Sequence, residues 1–289
     1  MQAIALGHPA WSSTIPHPVT PLPDEWLAGV LLRCDEANAW RSGTTFRYVL
    51  RSTHHPGFGP GSPLVVVPSS LLDCLAQLLQ VPQQFLLATT YQAELLRLYP
   101  HRGSYREARR LTGTRKATWV FPRTATGKGK QVPTNTFGFH VCPACLAQHR
   151  LLGRTLVLPH LKYCPFHQIA FQTHCQCGCA LLLFHQEMLP FTCYMCGLDW
   201  KYLPQIPIAP DCGASEHDVY ALYQLFLQQG TSQLLERALG MARHLVRKNR
   251  QEMIGMGVRS TLGGSSLAYV VDLLVSVGLT PRDILAAEK

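Results

Sequence analysis

Apolar residues recur at helical spacing in the first and last thirds of this chain, whereas its middle alternates short apolar runs with pairs of cysteine and histidine. Trp26, Leu27, Val30 and Leu31 share one face of a helix expected to open at Asp24 and run to Cys34. Residues 54–68 are rich in glycine and proline and read as loop. Ser70-Leu-Leu-Asp73 has the spacing of a capping box. Leu71, Leu72, Leu75, Leu78 and Leu79 would form the buried stripe of the helix behind it. Pro82 ends that helix, and another is expected over residues 83–98. Ahead of these elements, Pro9, Pro16, Pro18, Pro21 and Pro23 forbid a helix and predict an extended arm over residues 1–20.

The last third repeats the helical pattern. Val219, Leu222, Tyr223, Phe226 and Leu227 fall on one face, and Leu235, Ala238, Leu239, Ala242 and Leu245 on another. Ser266 is placed to cap a helix running to Val277, with Gly278 supplying its C′ turn. Thr280-Pro-Arg-Asp283 then carries the cap, N1 proline and N3 acid of a further helix. Helix, short turn and helix suit a DNA-reading motif, and equally an ordinary α-domain. The expected fold is therefore mainly α, with small zinc-ribbon or zinc-knuckle modules between two helical domains. The N-terminal helical domain, helix-turn-helix-like, takes residues 21–140, and a tandem metal module residues 141–202. Pro204, Pro207 and Pro210 read as a linker to the C-terminal helical domain over residues 211–289.

The cysteines change the picture most. Cys142-Pro-Ala-Cys145 and Cys164-Pro-Phe-His167 present two pairs of soft ligands, each pair aimed at one point by a tight turn, as a tetrahedral zinc ion requires. A second group follows in His174-Cys175-Gln-Cys177-Gly-Cys179 and Cys193-Tyr-Met-Cys196-Gly. It offers more ligands than one ion needs. Cys175, Cys177, Cys193 and Cys196 are one set, and Cys179 or His174 in place of Cys175 or Cys177 is another. A glycine after Cys177 favours that residue, because it permits a knuckle turn. A disulfide framework is the rival reading and needs an oxidising compartment. The opening residues lack the basic and apolar regions of a signal peptide, so a cytoplasmic protein holding two zinc ions is expected. Cys34, Cys74 and Cys212 are scattered and read as buried thiols.

The 289-residue chain carries a formal charge of +9, and its distribution matters more than its size. Arg102, Arg106, Arg109, Arg110, Arg115, Lys116, Arg123, Lys128 and Lys130 face the single carboxylate of Glu107 between His101 and Lys130. With Tyr105, Trp119 and Phe121 interleaved, this stretch suits a phosphate backbone and stacked bases, or else is a solvated surface. Arg102, Arg106, Arg109, Arg110, Arg115 and Lys116 are the candidate nucleic-acid contacts. Trp11, in an arm with no core of its own, is the candidate partner anchor.

Enzyme chemistry finds little footing. Closed Cys/His sets leave no ligand position for water, and the H-x-E…P-C-x-x-C pattern of zinc deaminases is missing. No GxxxxGK[ST] loop occurs, and the 17 carboxylates are scattered rather than clustered. No apolar run of roughly 18 or more residues suggests a membrane span.

Pro21-Leu-Pro-Asp-Glu-Trp-Leu, His140-Val-Cys-Pro-Ala-Cys-Leu-Ala and Cys164-Pro-Phe-His together resemble the TniQ family, target-selection proteins of bacterial transposons that include CRISPR-associated ones. The resemblance covers roughly residues 16–200. It implies a non-catalytic adaptor that links a target-bound complex, DNA or a ribonucleoprotein, to the transposon's AAA+ ATPase regulator. It also implies that Cys142, Cys145, Cys164 and His167 form one zinc site, and Cys175, Cys177, Cys193 and Cys196 a second. A site-specific DNA-binding regulator, using the zinc ribbons and C-terminal helices, is the alternative expectation.

Overall fold

The computed structural model describes residues 15–53, 64–99, 140–158, 161–184, 188–208, 213–248 and 267–287. Among them the architecture is helical, and β pairing is confined to isolated antiparallel bridges. Trp11, the basic side chains from Arg102 to Lys130, Cys212 and Ser266 lie outside the described residues.

Helix α1, Leu27–Ala37, begins three residues later than the periodicity predicts. Asp24 sits in the left-handed region at φ 54°, which no helix accommodates. Glu25 pairs with Gly153, and the Trp26 amide donates to the Leu152 carbonyl at 2.7 Å. The backbone just before α1 thus belongs to a tertiary contact. The Glu25 carboxylate is buried and takes a bidentate pair from Arg33 of α1, at 2.8 and 2.6 Å. Such a pair offsets the cost of removing the charge from water.

Helix α2, Thr44–Thr53, was not expected from the sequence, because it buries only Thr45, Phe46 and Val49. Its start is held from a distance instead. Asp35, at the end of α1, accepts from the Thr44 and Thr45 amides at 3.1 and 2.8 Å and from the Thr45 hydroxyl at 2.6 Å. This carboxylate satisfies donors that the first turn leaves orphaned.

Helix α3, Ser69–Leu79, buries all five leucines of the expected stripe. Its capping box does not form: Pro68 occupies the N-cap, with no side-chain hydrogen bond there. The helix expected over residues 83–98 is two, α4 (Gln83–Leu87) and α5 (Gln92–Leu98). The hydroxyls of Thr89 and Thr90 turn back onto the Leu86 and Leu87 carbonyls at 2.6 and 2.7 Å, competing with helix continuation. Arg154 then takes the Ala88 and Thr90 carbonyls at 2.7 and 2.8 Å. Apolar periodicity cannot register that break.

Beyond α5 come helix α6, Pro143–His149, and two 3₁₀ turns, Arg154–Val157 and Trp200–Tyr202. The apolar run Leu156-Val-Leu158 lies largely in a 3₁₀ turn. Helix α7, Gly213–Gln224, continues into a π-helical turn, Leu225–Gln229, followed by α8, Ser232–Lys248. Arg97 of α5 donates to the Leu227 and Gly230 carbonyls that close the π turn. Helices α9 (Leu267–Ser276) and α10 (Pro281–Ala286) complete the chain, and α9 packs on α7 and α8. Gly278 has φ 71°, and Thr280 with Asp283 forms the complete capping box with Pro281 at N1, as the sequence indicates. One buried apolar cluster, from Ile15 to Ile284, draws residues from every described helix.

Burial lifts the Asp35 carboxyl to about 6, with hydrogen bonds from Thr45 opposing the rise. The folded state then keeps this proton above the unfolded pKa of about 3.9, so Asp35's contribution is fully present near pH 4 and is lost as pH rises through 6. Denaturant unfolding of wild type and Asp35→Asn at matched pH should show the wild-type advantage largest near pH 4. It should narrow by about 2 kcal/mol toward neutrality. A pH-independent difference would contradict the assignment.

Candidate metal centres

The first cluster is assembled by a helix start and a tight turn. Cys142 is the N-cap of α6, its sulfur accepting from the Cys145 amide at 3.4 Å, and Pro143 fills N1, where no amide is needed. One helical turn therefore brings Cys142 and Cys145 together. Opposite them, the Gln168 amide closes on the Cys164 carbonyl at 2.8 Å and the Cys164 amide on the Ile169 carbonyl at 2.9 Å. Gln168 takes φ 53° to allow this turn. Bridges Val141–Gln172 and Tyr163–Ala170 hold the two halves face to face.

The resulting distances decide the chemistry. Nδ1 of His167 lies 3.6, 3.3 and 3.5 Å from the sulfurs of Cys142, Cys145 and Cys164, and the last two sulfurs are 3.7 Å apart. A tetrahedron with Zn–S near 2.3 Å and Zn–N near 2.05 Å has S···N edges of about 3.6 Å and S···S edges of about 3.8 Å. A disulfide would bring two sulfurs to about 2.05 Å. The donor set fits zinc and not a crosslink. With Nδ1 aimed at the sulfurs, Nε2 carries the proton and donates to Oε1 of Gln148 at 3.0 Å, which fixes the ring. Hydrogen bonding with Cys142 and Cys164, with burial added, pushes the Cys145 thiol up from its ordinary range.

The second cluster is built from two knuckles. Gly178, at φ 84°, lets its amide reach the Cys175 carbonyl at 2.9 Å, and Gly197, at φ 72°, does the same for Cys193 at 2.9 Å. Sulfur distances are 3.5 Å for Cys175–Cys196 and 3.7 Å for Cys177–Cys193. The choice left open by the sequence falls on Cys175 and Cys177: their sulfurs join those of Cys193 and Cys196 within 4.8 Å of one another. Cys179 stays outside, its carbonyl accepting from the Cys175 amide at 2.8 Å, and His174 bonds Thr173 Oγ1 through Nδ1 at 2.9 Å. Cys177 and Cys196 are exposed, whereas Cys175 and Cys193 belong to the main apolar core.

Three supporting side chains escaped the sequence reading, since none stands in a recognisable spacing. Gln148 is one. Arg150, in the left-handed C-cap of α6, grips both oxygens of Asp199 at 2.6 and 2.7 Å and Glu36 of α1 at 2.7 Å, and it covers the Phe191 ring at 5.2 Å. Arg154 pairs with Glu94 at 2.6 Å over the Tyr91 ring.

Fold and clusters together define a mainly helical protein with two four-residue sites suited to metal. The TniQ family model matches residues 16–171, more than half of the chain, and the protein belongs to the TniQ family, a transposition-associated group. The match takes in α1 through α6 and the whole first cluster, while the second cluster and α7 to α10 follow it. No curated protein matches the chain.

Elemental analysis of the purified protein should return about two zinc ions per chain, and Cys145→Ser should lose one with its fold. His167→Cys should keep zinc, because a four-sulfur set is equally closed. Gln148→Leu should weaken one zinc by roughly 10–100-fold in competition with a chromophoric chelator. Unchanged affinity would remove Gln148 from the site.

Proposed function

We propose that this protein is a non-catalytic transposition adaptor. It would join a target-bound complex, either target DNA or a guide-RNA ribonucleoprotein, to the transposon's AAA+ ATPase regulator. Membership of the TniQ family carries the reading. The donor sets support it: each would be saturated by four side chains, which suits a structural zinc and leaves no place for a reacting water. On this reading Cys142, Cys145, Cys164 and His167 hold one zinc ion, and Cys175, Cys177, Cys193 and Cys196 the other. The metals set the shape of the surface between the helical regions. They take no part in a reaction.

The basic stretch Arg102, Arg106, Arg109, Arg110, Arg115 and Lys116 would meet nucleic acid, and Trp11 would anchor the regulator. Among the described residues no helix is long and apolar enough to cross a membrane. Direct sequence reading by the C-terminal helices is less favoured, because α10 has only six residues to lay in a groove.

Charge reversal of Arg106, Arg109 and Arg110 to Glu should weaken nucleic-acid binding and flatten its salt dependence, since each lost phosphate contact lowers the slope by about one. Salt-resistant sequence preference in the wild type would instead support the DNA-binding regulator. Trp11→Ala should leave zinc content and melting temperature unchanged while reducing capture of the regulator in a pull-down. Full capture by the variant would move the contact to the helical surface.

A further inference from the structure

A cavity of about 260 Å³ opens onto the first cluster, lined by all four of its candidate ligands together with the apolar side chains of Leu151, Leu156, Phe166 and Phe171. A smaller, more polar hollow of about 50 Å³ adjoins it, backed by Tyr91, Glu94 and Arg154. Asp24, Thr155 and Phe166 line both, so the two form one groove. Phe166 is 56% exposed although the Cys164–His167 turn pins its backbone, which makes the ring a preset lip. The main cavity is below the size of a typical cofactor or drug-sized site, about 300–1,000 Å³, and suits one bulky side chain.

Charge selects the occupant. Arg154 pairs with Glu94 through Nη2 at 2.6 Å and donates from Nη1 to the Ala88 and Thr90 carbonyls, while its charge also reaches Asp24. His149 also lines the larger cavity. Asp24, exposed at the junction of the two hollows, enters no salt bridge among the described residues. In a chain with 26 Lys and Arg against 17 Asp and Glu, this opening presents a carboxylate. It repels phosphate and attracts a cation. We infer that the groove docks a segment of a partner protein that presents a large apolar side chain next to an arginine or lysine. The apolar group fills the cavity beneath Phe166, and the cation meets Asp24.

The inference goes beyond the adaptor reading, and its test uses no transposition component, so its failure leaves that reading standing. The zinc-loaded, ¹⁵N-labelled protein is titrated with the peptides Ac-Phe-Arg-NH₂ and Ac-Phe-Glu-NH₂. The arginine peptide should shift the amides of Asp24, Leu151, Thr155 and Phe171 and bind roughly two- to fivefold tighter than the glutamate peptide. Asp24→Asn keeps a residue that tolerates the left-handed backbone, and should abolish that preference while leaving these shifts and the zinc content in place. Three results would overturn the proposal: no shift at these amides with either peptide, a preference that survives Asp24→Asn, or the same amides moved by a single-stranded oligonucleotide. Shifts that grow with protein concentration alone would replace the partner segment with a second copy of this chain.

Discussion

The guanidinium of Arg150 is where three separately built pieces of this protein meet. It leaves the end of α6, one turn beyond Cys145, and reaches Glu36 at the end of α1 and Asp199 just past the second cluster, while lying over Phe191. A planar group with several fixed donors can serve two carboxylates and a ring face at once. A lysine ammonium could not. The geometry also demands that α6 stop where it does: Arg150 takes φ 54°, and its amide caps the Leu146 carbonyl at 3.0 Å, so the side chain turns away from the helix axis toward its partners. Asp199 is committed in turn, since it also caps the Trp200–Tyr202 turn through the Lys201 amide at 3.0 Å. Burial disfavours its charge, but the Arg150 contacts win and hold the Asp199 carboxyl below its ordinary value.

Chemistry carried by neighbours in sequence was legible; chemistry carried by distant neighbours was not. The Cys-x-x-Cys and Cys-x-x-His pairs announce themselves because one turn of backbone aims both ligands, and the structure gathers those four atoms as the spacing implies. The stripe of α3 and the box at Thr280 are equally local. Helix α2 is different. Its apolar face is too narrow to declare it, and its first turn is stabilised by Asp35 from the preceding helix. The break between α4 and α5 depends on Arg154, more than sixty residues away in sequence, and periodicity holds no record of it. Between Cys175 and Cys179 the spacing was ambiguous for a physical reason. Both flank the same knuckle, and only the direction of the Gly178 turn decides which sulfur faces Cys196.

The two clusters also differ in what surrounds them. Cys142, Cys145 and Cys164 sit in a small apolar cluster of their own with Ala144 and Ile169, whereas Cys175 and Cys193 are part of the large core that runs through the helices. Packing in that large core fixes Cys175 and Cys193, while Cys177 and Cys196 are exposed and placed by their knuckle turns. A ligand set held in a small satellite depends more on the bond network around it, which is why Gln148 and the hairpin bridges matter at the first cluster.

That network closes on itself. After the second cluster the chain passes through Trp200–Tyr202 and returns to the first, where Ile206 accepts from Ala170 at 2.8 Å and Ile208 donates to Gln168 at 3.2 Å. Residues in the proline-marked linker thus also brace the turn that carries Cys164 and His167. The Arg150–Asp199 pair crosses the same circuit from the opposite side. The turn of the first cluster is therefore held partly by chain that follows the second. The family match ends at residue 171, ahead of the second cluster, yet the bracing segment lies beyond it at residues 206–208. Position along the chain and dependence in space do not coincide here. The geometry of the first site is completed by residues that follow the second.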